Sequence, residues 1–296
     1  MAAICADPPA NVAALRHLLA ERFTAEPLGT GLLTGYFEPE IAGNPTATDA
    51  FPTPLRGRPV DLVEVDLGRF LPELAGRRTA GRVVAGRLEP YPDRAAIQAG
   101  ALAGLAPDLA YVDPVEAFIL QIQGSGRVRF ADGSVLRLGY AGQNGHRYVP
   151  IGRVLVAEGA MSLADVTMQA IRAWMGAADP AASARLMNAN PSYVFFRPLD
   201  LPAELGPIGT LGVPLTPMRS LAVDRTQVPL GLPVWIEGID PLTGATFRRL
   251  TLAQDTGGAI RGAARGDLFT GWGAAAEDRA GRMRDPARFW VLRPRS

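Results

Sequence analysis

The sequence predicts a mainly β chain with some α-helix, and three observations carry that reading. Arg127-Val128-Arg129-Phe130 and Val135-Leu136-Arg137-Leu138 alternate polar and apolar residues around Asp132-Gly133, the pattern of a β-hairpin. From Phe195 onward only strand and turn signals are read, with Val234-Trp235-Ile236, residues 247–253 and residues 288–292 as strands. Elsewhere several segments open with helix caps instead of alternation, so the middle of the chain reads as α+β.

Each element has its own local reason. Asn11 is suited to cap a first helix, with Val12, Leu15, Leu18, Leu19 and Phe23 at helical spacing. Gly and Pro are then dense as far as Pro59, which predicts short strands and turns. Residues 61–86 are rich in Arg, Gly and Leu and read as a weakly specified insertion. A second helix starts at Asp93 and a third at Asp113-Pro114, an acid cap followed by proline at the first helical position. Ser162 opens another, with Asp165 three residues on and Leu163, Val166, Ile171 and Trp174 near one face. Asp179-Pro180 opens a further helix that ends near Asn190-Pro191, and no internal repeat is visible.

Composition narrows the chemistry. A chain of 296 residues has room for about two domains. No apolar run approaches the ~18 residues of a membrane span. A formal charge of +1 argues against a nucleic-acid partner. Residues 244–296 nevertheless hold ten Arg against five acids, either a solvated face or a surface that meets an anionic ligand. All thirty basic residues are Arg, which excludes Schiff-base lysine chemistry and the phosphate-loop Lys. Cys5 is the single cysteine, so no intramolecular disulfide is possible. The first residues lack an export signal's basic stretch and apolar core, and Ile4 is a poor neighbour for lipid attachment at Cys5. The chain is therefore expected either in the cytoplasm or numbered from beyond a removed export signal.

Familiar catalytic motifs fail. Gly124-Ser125-Gly126 lacks the third glycine of a dinucleotide fingerprint, where Arg129 stands. His17 and His146, the two histidines, have no zinc spacing, and there is no Gly-x-Ser-x-Gly elbow. The chemistry falls to carboxylates, without a metal or cofactor. Asp255 ends the apolar strand Leu250-Thr251-Leu252-Ala253 and precedes two glycines within three residues. Asp267 lies in Arg265-Gly266-Asp267-Leu268-Phe269, near Trp272. Such apolar neighbours can dehydrate a carboxyl and keep it protonated, as a general acid requires. The plainer alternative is that each Asp bonds its own turn. Asp255-Thr256-Gly257 also matches an aspartic-protease half-site, which would need a symmetric homodimer to supply the second carboxyl.

Five motifs in order carry a resemblance. They are Gly31-Leu32-Leu33-Thr34-Gly35-Tyr36-Phe37-Glu38-Pro39, Phe118-Ile119-Leu120-Gln121-Ile122-Gln123-Gly124-Ser125-Gly126, Gly139-Tyr140-Ala141-Gly142-Gln143-Asn144-Gly145-His146, Asn190-Pro191-Ser192-Tyr193-Val194-Phe195-Phe196, and the terminal block with Asp224, Asp255 and Asp267. With these, the chain resembles the lytic murein transglycosylase A (MltA) family over nearly its whole length, and its last hundred residues resemble a three-aspartate domain. The resemblance implies a double-psi β-barrel from residues 1–57 and 199–296, a β-rich substrate-binding domain inserted at 58–198, and a substrate groove between them. It implies Asp267 as catalytic acid/base, Asp255 as its neighbour and Asp224 as structural. Gln123, Ser125 and Asn144 would bond sugar hydroxyls and N-acetyl groups, while Tyr36 and Trp272 would stack on sugar faces. Asp278 stands where some relatives carry His. The implied reaction cleaves peptidoglycan between N-acetylmuramic acid and N-acetylglucosamine and leaves 1,6-anhydro ends. The implied setting is the periplasm, with attachment to the outer membrane left open. A monomer is expected, with cell-wall synthesis or hydrolysis complexes as possible partners. The alternative is a non-catalytic glycan-binding barrel similar to expansin-like modules.

Overall fold

The computed structural model describes residues 10–295, so Ile4 and Cys5 lie outside the described residues. In chain order the elements begin with α1 (Val12–Arg22), β1 (Phe23–Glu38), β2 (Glu40–Asn44), β3 (Thr53–Arg56), β4 (Val63–Asp66), β5 (Arg78–Val84), β6 (Arg87–Pro90) and α2 (Arg94–Gln98). Next come β7 (Asp108–Val112), α3 (Pro114–Gln123), β8 (Gly126–Arg129), β9 (Val135–Gln143), α4 (Ile151–Ala157), α5 (Met168–Ala177), α6 (Pro180–Asn188) and β10 (Val194–Pro198). The chain closes with β11 (Ser220–Val223), β12 (Pro233–Ile239), β13 (Thr246–Asp255), β14 (Arg265–Trp272), α7 (Gly273–Arg282) and β15 (Arg284–Pro294). No helix of the described residues is long and apolar enough to cross a membrane.

The chain divides into two units, one of Met1–Glu38 with Pro202–Ser296 and one of Pro39–Leu201. The first boundary therefore falls at residue 38 and not at the expected 57. The reason is strand pairing: β2 and β3 pair with β7 and β8, within the second unit.

In the first unit, six strands form a closed barrel in the order β1-β14-β11-β13-β12-β15. Closure leaves no unpaired sheet edge. Two neighbours, β1 with β14 and β11 with β13, run parallel, and the other pairs are antiparallel. β1 is long enough to serve two partners. It pairs with β15 from Phe23↔Pro294 to Thr34↔Arg284 and with β14 from Leu32↔Arg265 onward. Side chains alternate across it, so Leu33, Leu221, Val223, Leu268 and Phe289 fill the interior while Thr34 and Asp267 take the opposite face.

Helix α7 replaces strand and turn at the end of the chain. Ala274, Ala275 and Ala276 favour helix, and Arg279 and Arg282 complement its C-terminal dipole. Its small face packs on β1, where a Cβ at Gly35 would lie 2.9 Å from the Ala280 Cα.

In the second unit, a six-stranded sheet runs β10-β9-β8-β2-β7-β3, beside a three-stranded sheet β4-β5-β6. Asp93, Asp113 and Asp179 cap their helices as predicted, and the β8–β9 hairpin turns at Gly133 with φ +86°. Two expectations change. Residues 61–86 supply most of an antiparallel sheet, helped by the β-branched Val63, Val65, Thr79, Val83 and Val84. The helix expected from Ser162 starts later: extended backbone at Val166 breaks it, and the Thr167 side chain caps α5 by accepting from Ala170 N.

Candidate active site

Strands β1 and β14 set Thr34 directly beside Asp267. The Thr34 hydroxyl donates to Asp267 Oδ1 at 2.6 Å. Burial pushes the Asp267 carboxyl above the ordinary carboxylate range, while the Thr34 bond and the Arg265 charge pull it down and the Asp255 charge adds a smaller rise. The direction agrees with the sequence expectation, but the walls differ. Leu268, next along the strand, points into the barrel interior. Phe269 shares the face of Asp267, and its ring lies 5.4 Å from that of Tyr36. Trp272 instead lines a separate cavity of about 410 Å³ with Met218, Arg249 and the Asp240–Arg279 ion pair, whose lining includes neither Asp255 nor Asp267.

Asp255 reaches the same face from the end of β13. Ala222 on β11 is the register partner of both carboxylates, Asp255 on one side and Asp267 on the other. At ~4.8 Å per strand spacing, their backbones stand roughly 10 Å apart. No hydrogen bond joins the two carboxyls. Asp255 Oδ1 accepts from Thr210 N and Oγ1 at 3.0 and 2.8 Å, and Oδ2 accepts from the Tyr36 hydroxyl at 2.9 Å. Burial and the Asp255 charge push the Tyr36 phenol far above its usual value, so it stays a neutral donor. Within the chain, the Asp255-Thr256-Gly257 carboxyl is thus bonded at both oxygens, to Thr210 and Tyr36.

Asp224 is a loop clamp. It accepts from Thr226 N and Oγ1 and, across the loop, from Gly262 N at 2.9 Å. The Gly262 bond is the largest influence holding its carboxyl low. The remaining candidates lie in the second unit. Gln123 is exposed at the end of α3 and Ser125 is half-buried in the following turn. Asn144 is fully buried, and its amide bonds only backbone: Nδ2 donates to Pro92 O and Pro191 O, and Oδ1 accepts from Tyr193 N. It therefore anchors loops and has no free donor for a sugar. Asp278 pairs with Arg282 at 2.6 Å on an exposed helix face. Much of the C-terminal Arg surplus is likewise paired: Arg248 and Arg288 with Glu237, Arg279 with Asp240, and Arg293 with Glu26.

The sequence reading singled out neither Thr34 nor Thr210. Thr34 lies inside the quoted Gly31–Pro39 motif, but only the register of a parallel strand pair reveals its partner. Thr210 sits in an irregular loop and carries no local signal.

Comparison with known proteins gives this geometry its relatives. The MltA specific insert domain matches residues 32–197 and the 3D domain matches residues 219–293. The membrane-bound lytic murein transglycosylase A of Vibrio cholerae is 33% identical over 294 residues, covering 96% of this chain and 71% of that one. This chain belongs to the MltA family. Among solved structures, MltA from Neisseria gonorrhoeae superposes with a TM-score of 0.85 at 36% identity, covering 99% of this chain and 81% of that one. Escherichia coli MltA with bound chitohexaose gives a TM-score of 0.66 at 33% identity, over 90% and 73% of the two chains. The MltA relatives thus share the closed barrel and the second unit that interrupts it.

Proposed function

We propose that the chain is a peptidoglycan lytic transglycosylase with Asp267 as its acid/base. The observation that carries the reading is a single, partly buried carboxyl, held at one oxygen, with no second carboxyl bonded to it. Membership of the MltA family supports the substrate class, as does the glycan oligomer bound by the E. coli relative. Cleavage falls on the β-1,4 bond between N-acetylmuramic acid and N-acetylglucosamine.

Protonated Asp267 gives its proton to the glycosidic oxygen as the bond to C1 breaks through an oxocarbenium-like state. The resulting carboxylate takes the proton of the muramic acid C6 hydroxyl, whose oxygen attacks C1 of its own ring. The products are a free N-acetylglucosamine hydroxyl and a 1,6-anhydro end, and no water is consumed. The nucleophile is tethered to its target, so no second base for water is required. Thr34, by donating to Oδ1, leaves Oδ2 as the oxygen that carries the proton. Asp255, with Tyr36 and Thr210 bonded to it, is a fixed negative charge that stabilises the positive charge developing at C1.

The parallel pairs β1/β14 and β11/β13 support a double-psi connection within the barrel. The membrane-bound names of the relatives support a periplasmic site of action at the outer membrane. A purely glycan-binding barrel would derive nothing from a partly buried carboxyl with a raised pKa, which disfavours the expansin-like alternative. Digesting purified murein and weighing the soluble products tests the reading. Muropeptides lighter by one water than hydrolytic products are expected. Reducing ends would overturn the mechanism, and no release at all would revive the binding module.

A further inference from the structure

The second unit holds a partly open cavity of about 240 Å³ lined in part by Arg94, a residue with no part in the chemistry above. Arg94 follows the cap Asp93 at the start of α2 and is 2% exposed. Its Nε donates to Asn190 O at 2.9 Å, Nη1 to Gln121 Oε1 at 2.6 Å and Nη2 to Ser192 O at 2.5 Å. The rings of Phe118 and Tyr193 lie 4.6 and 5.2 Å from its Cζ and cover the guanidinium plane. Every one of these partners is neutral. A guanidinium carries five N–H donors, so two remain beyond the three bonds. Among the described residues no carboxylate bonds to it.

A buried cation without a counter-charge is costly. Burial pushes the Arg94 pKa down to about 10, which still leaves it charged at neutral pH. The cavity walls do not relieve it. Arg56 also lines the space, no described lining residue is Asp or Glu, and Ile97, Pro114 and Met187 supply apolar surface. Arg56 has its own partner, Asp108, at 2.8 Å. The volume is below the ~300–1,000 Å³ of drug-sized sites.

We infer that this cavity binds a small organic anion: one carboxylate on an otherwise uncharged, largely apolar body about the size of an amino-acid residue, bonded through the free edge of Arg94. A free short-chain acid and the C-terminal residue of a peptide share that chemistry. The site is independent of the glycan reading, because it rests on Arg94 and its cavity alone.

Calorimetric titration of the full chain decides it, with propionate, N-acetyl-D-alanine and N-acetyl-D-alaninamide as probes. Saturable binding of a carboxylate is expected, at least tenfold tighter than the amide, which lacks the charge. Tighter N-acetyl-D-alanine assigns the site to a peptide end, and tighter propionate assigns it to a free acid. Either result supports the inference. Ala184→Leu adds bulk at the half-buried rim without touching an Arg94 bond, and should weaken the carboxylate at least tenfold. Absence of saturable carboxylate binding, or equal binding of the amide, would overturn the inference in the unmodified protein, whatever the variant does. Unchanged affinity in folded Ala184→Leu would overturn the location.

Discussion

At Asp267 four influences of different sign meet, and two of them can be moved separately. Asp267→Asn is nearly isosteric, and loss of a general acid typically costs 10²–10⁴-fold in rate. Turnover should fall by at least that range while the circular dichroism spectrum is retained. Near-normal turnover in a folded variant would remove Asp267 from the chemistry. Because the group must be protonated to act, activity should fall as pH rises through its raised pKa. Thr34→Val removes a bond that holds that pKa down, so the alkaline limb should move to higher pH. Asp255→Asn removes a charge that pushes it up, so the limb should move to lower pH, and by less, since that is the weakest of the four influences. Rate–pH profiles of both variants test the signs, and limbs moving the same way would refute the arrangement. Stability follows by linkage. With a folded pKa above its unfolded value of about 3.9, Asp267 stabilises the fold below that value, and the benefit is lost as pH rises through the folded pKa. Asp267→Asn should therefore raise the melting temperature at neutral pH, and less so at acid pH. The direction of this carboxyl's shift was legible in the sequence, from its apolar neighbours. The walls were not, because adjacent residues on a strand face opposite ways and Leu268 belongs to the interior.

Strand β1 shows what one element must satisfy to hold that carboxyl in place. A Cβ on Gly31 would lie 1.7 Å from Ala264 O, just ahead of β14, so backbone and not a flexible side chain would have to give. Gly31→Ala should destabilise by about 1–3 kcal/mol, as overpacking does, and shift β14 enough to reduce turnover without altering any functional group. Denaturant titration beside a murein assay checks both, and a fully stable, fully active variant would refute the close approach. Local signals read well where a short-range cause exists: three aspartate caps and one Asp-Gly hairpin stand where the sequence put them. They fail where the decision is tertiary. Helix α7 has no polar cap, since Trp272 precedes it, and its face is small because Gly35 of a distant strand admits only alanine. In α5, Ser162 offers a cap, yet Thr167 supplies the one that is used.

For the molecule as a whole, the barrel closes only when β15 lies between β1 and β12. Cutting the chain after Met283 would expose an edge on both neighbours and open the interior around Phe289 and Val291. That truncation should abolish cooperative thermal unfolding, which differential scanning calorimetry reads directly. Activity should survive EDTA, because protein N–H and O–H donors engage both oxygens of Asp224 and Asp255 and one of Asp267, and the described residues contain no group of three His, Cys, Asp or Glu that could hold a metal. A loss restored by zinc or calcium would mean that one of them is a ligand. The pairing of β1 with β14 has a further consequence in time. At ~5–20 residues per second, a ribosome needs on the order of 10–50 s between releasing Thr34 and releasing Asp267. The nascent chain thus carries an exposed strand whose partners do not yet exist, and a wall-cutting enzyme is latent until β14 and β15 have been translated.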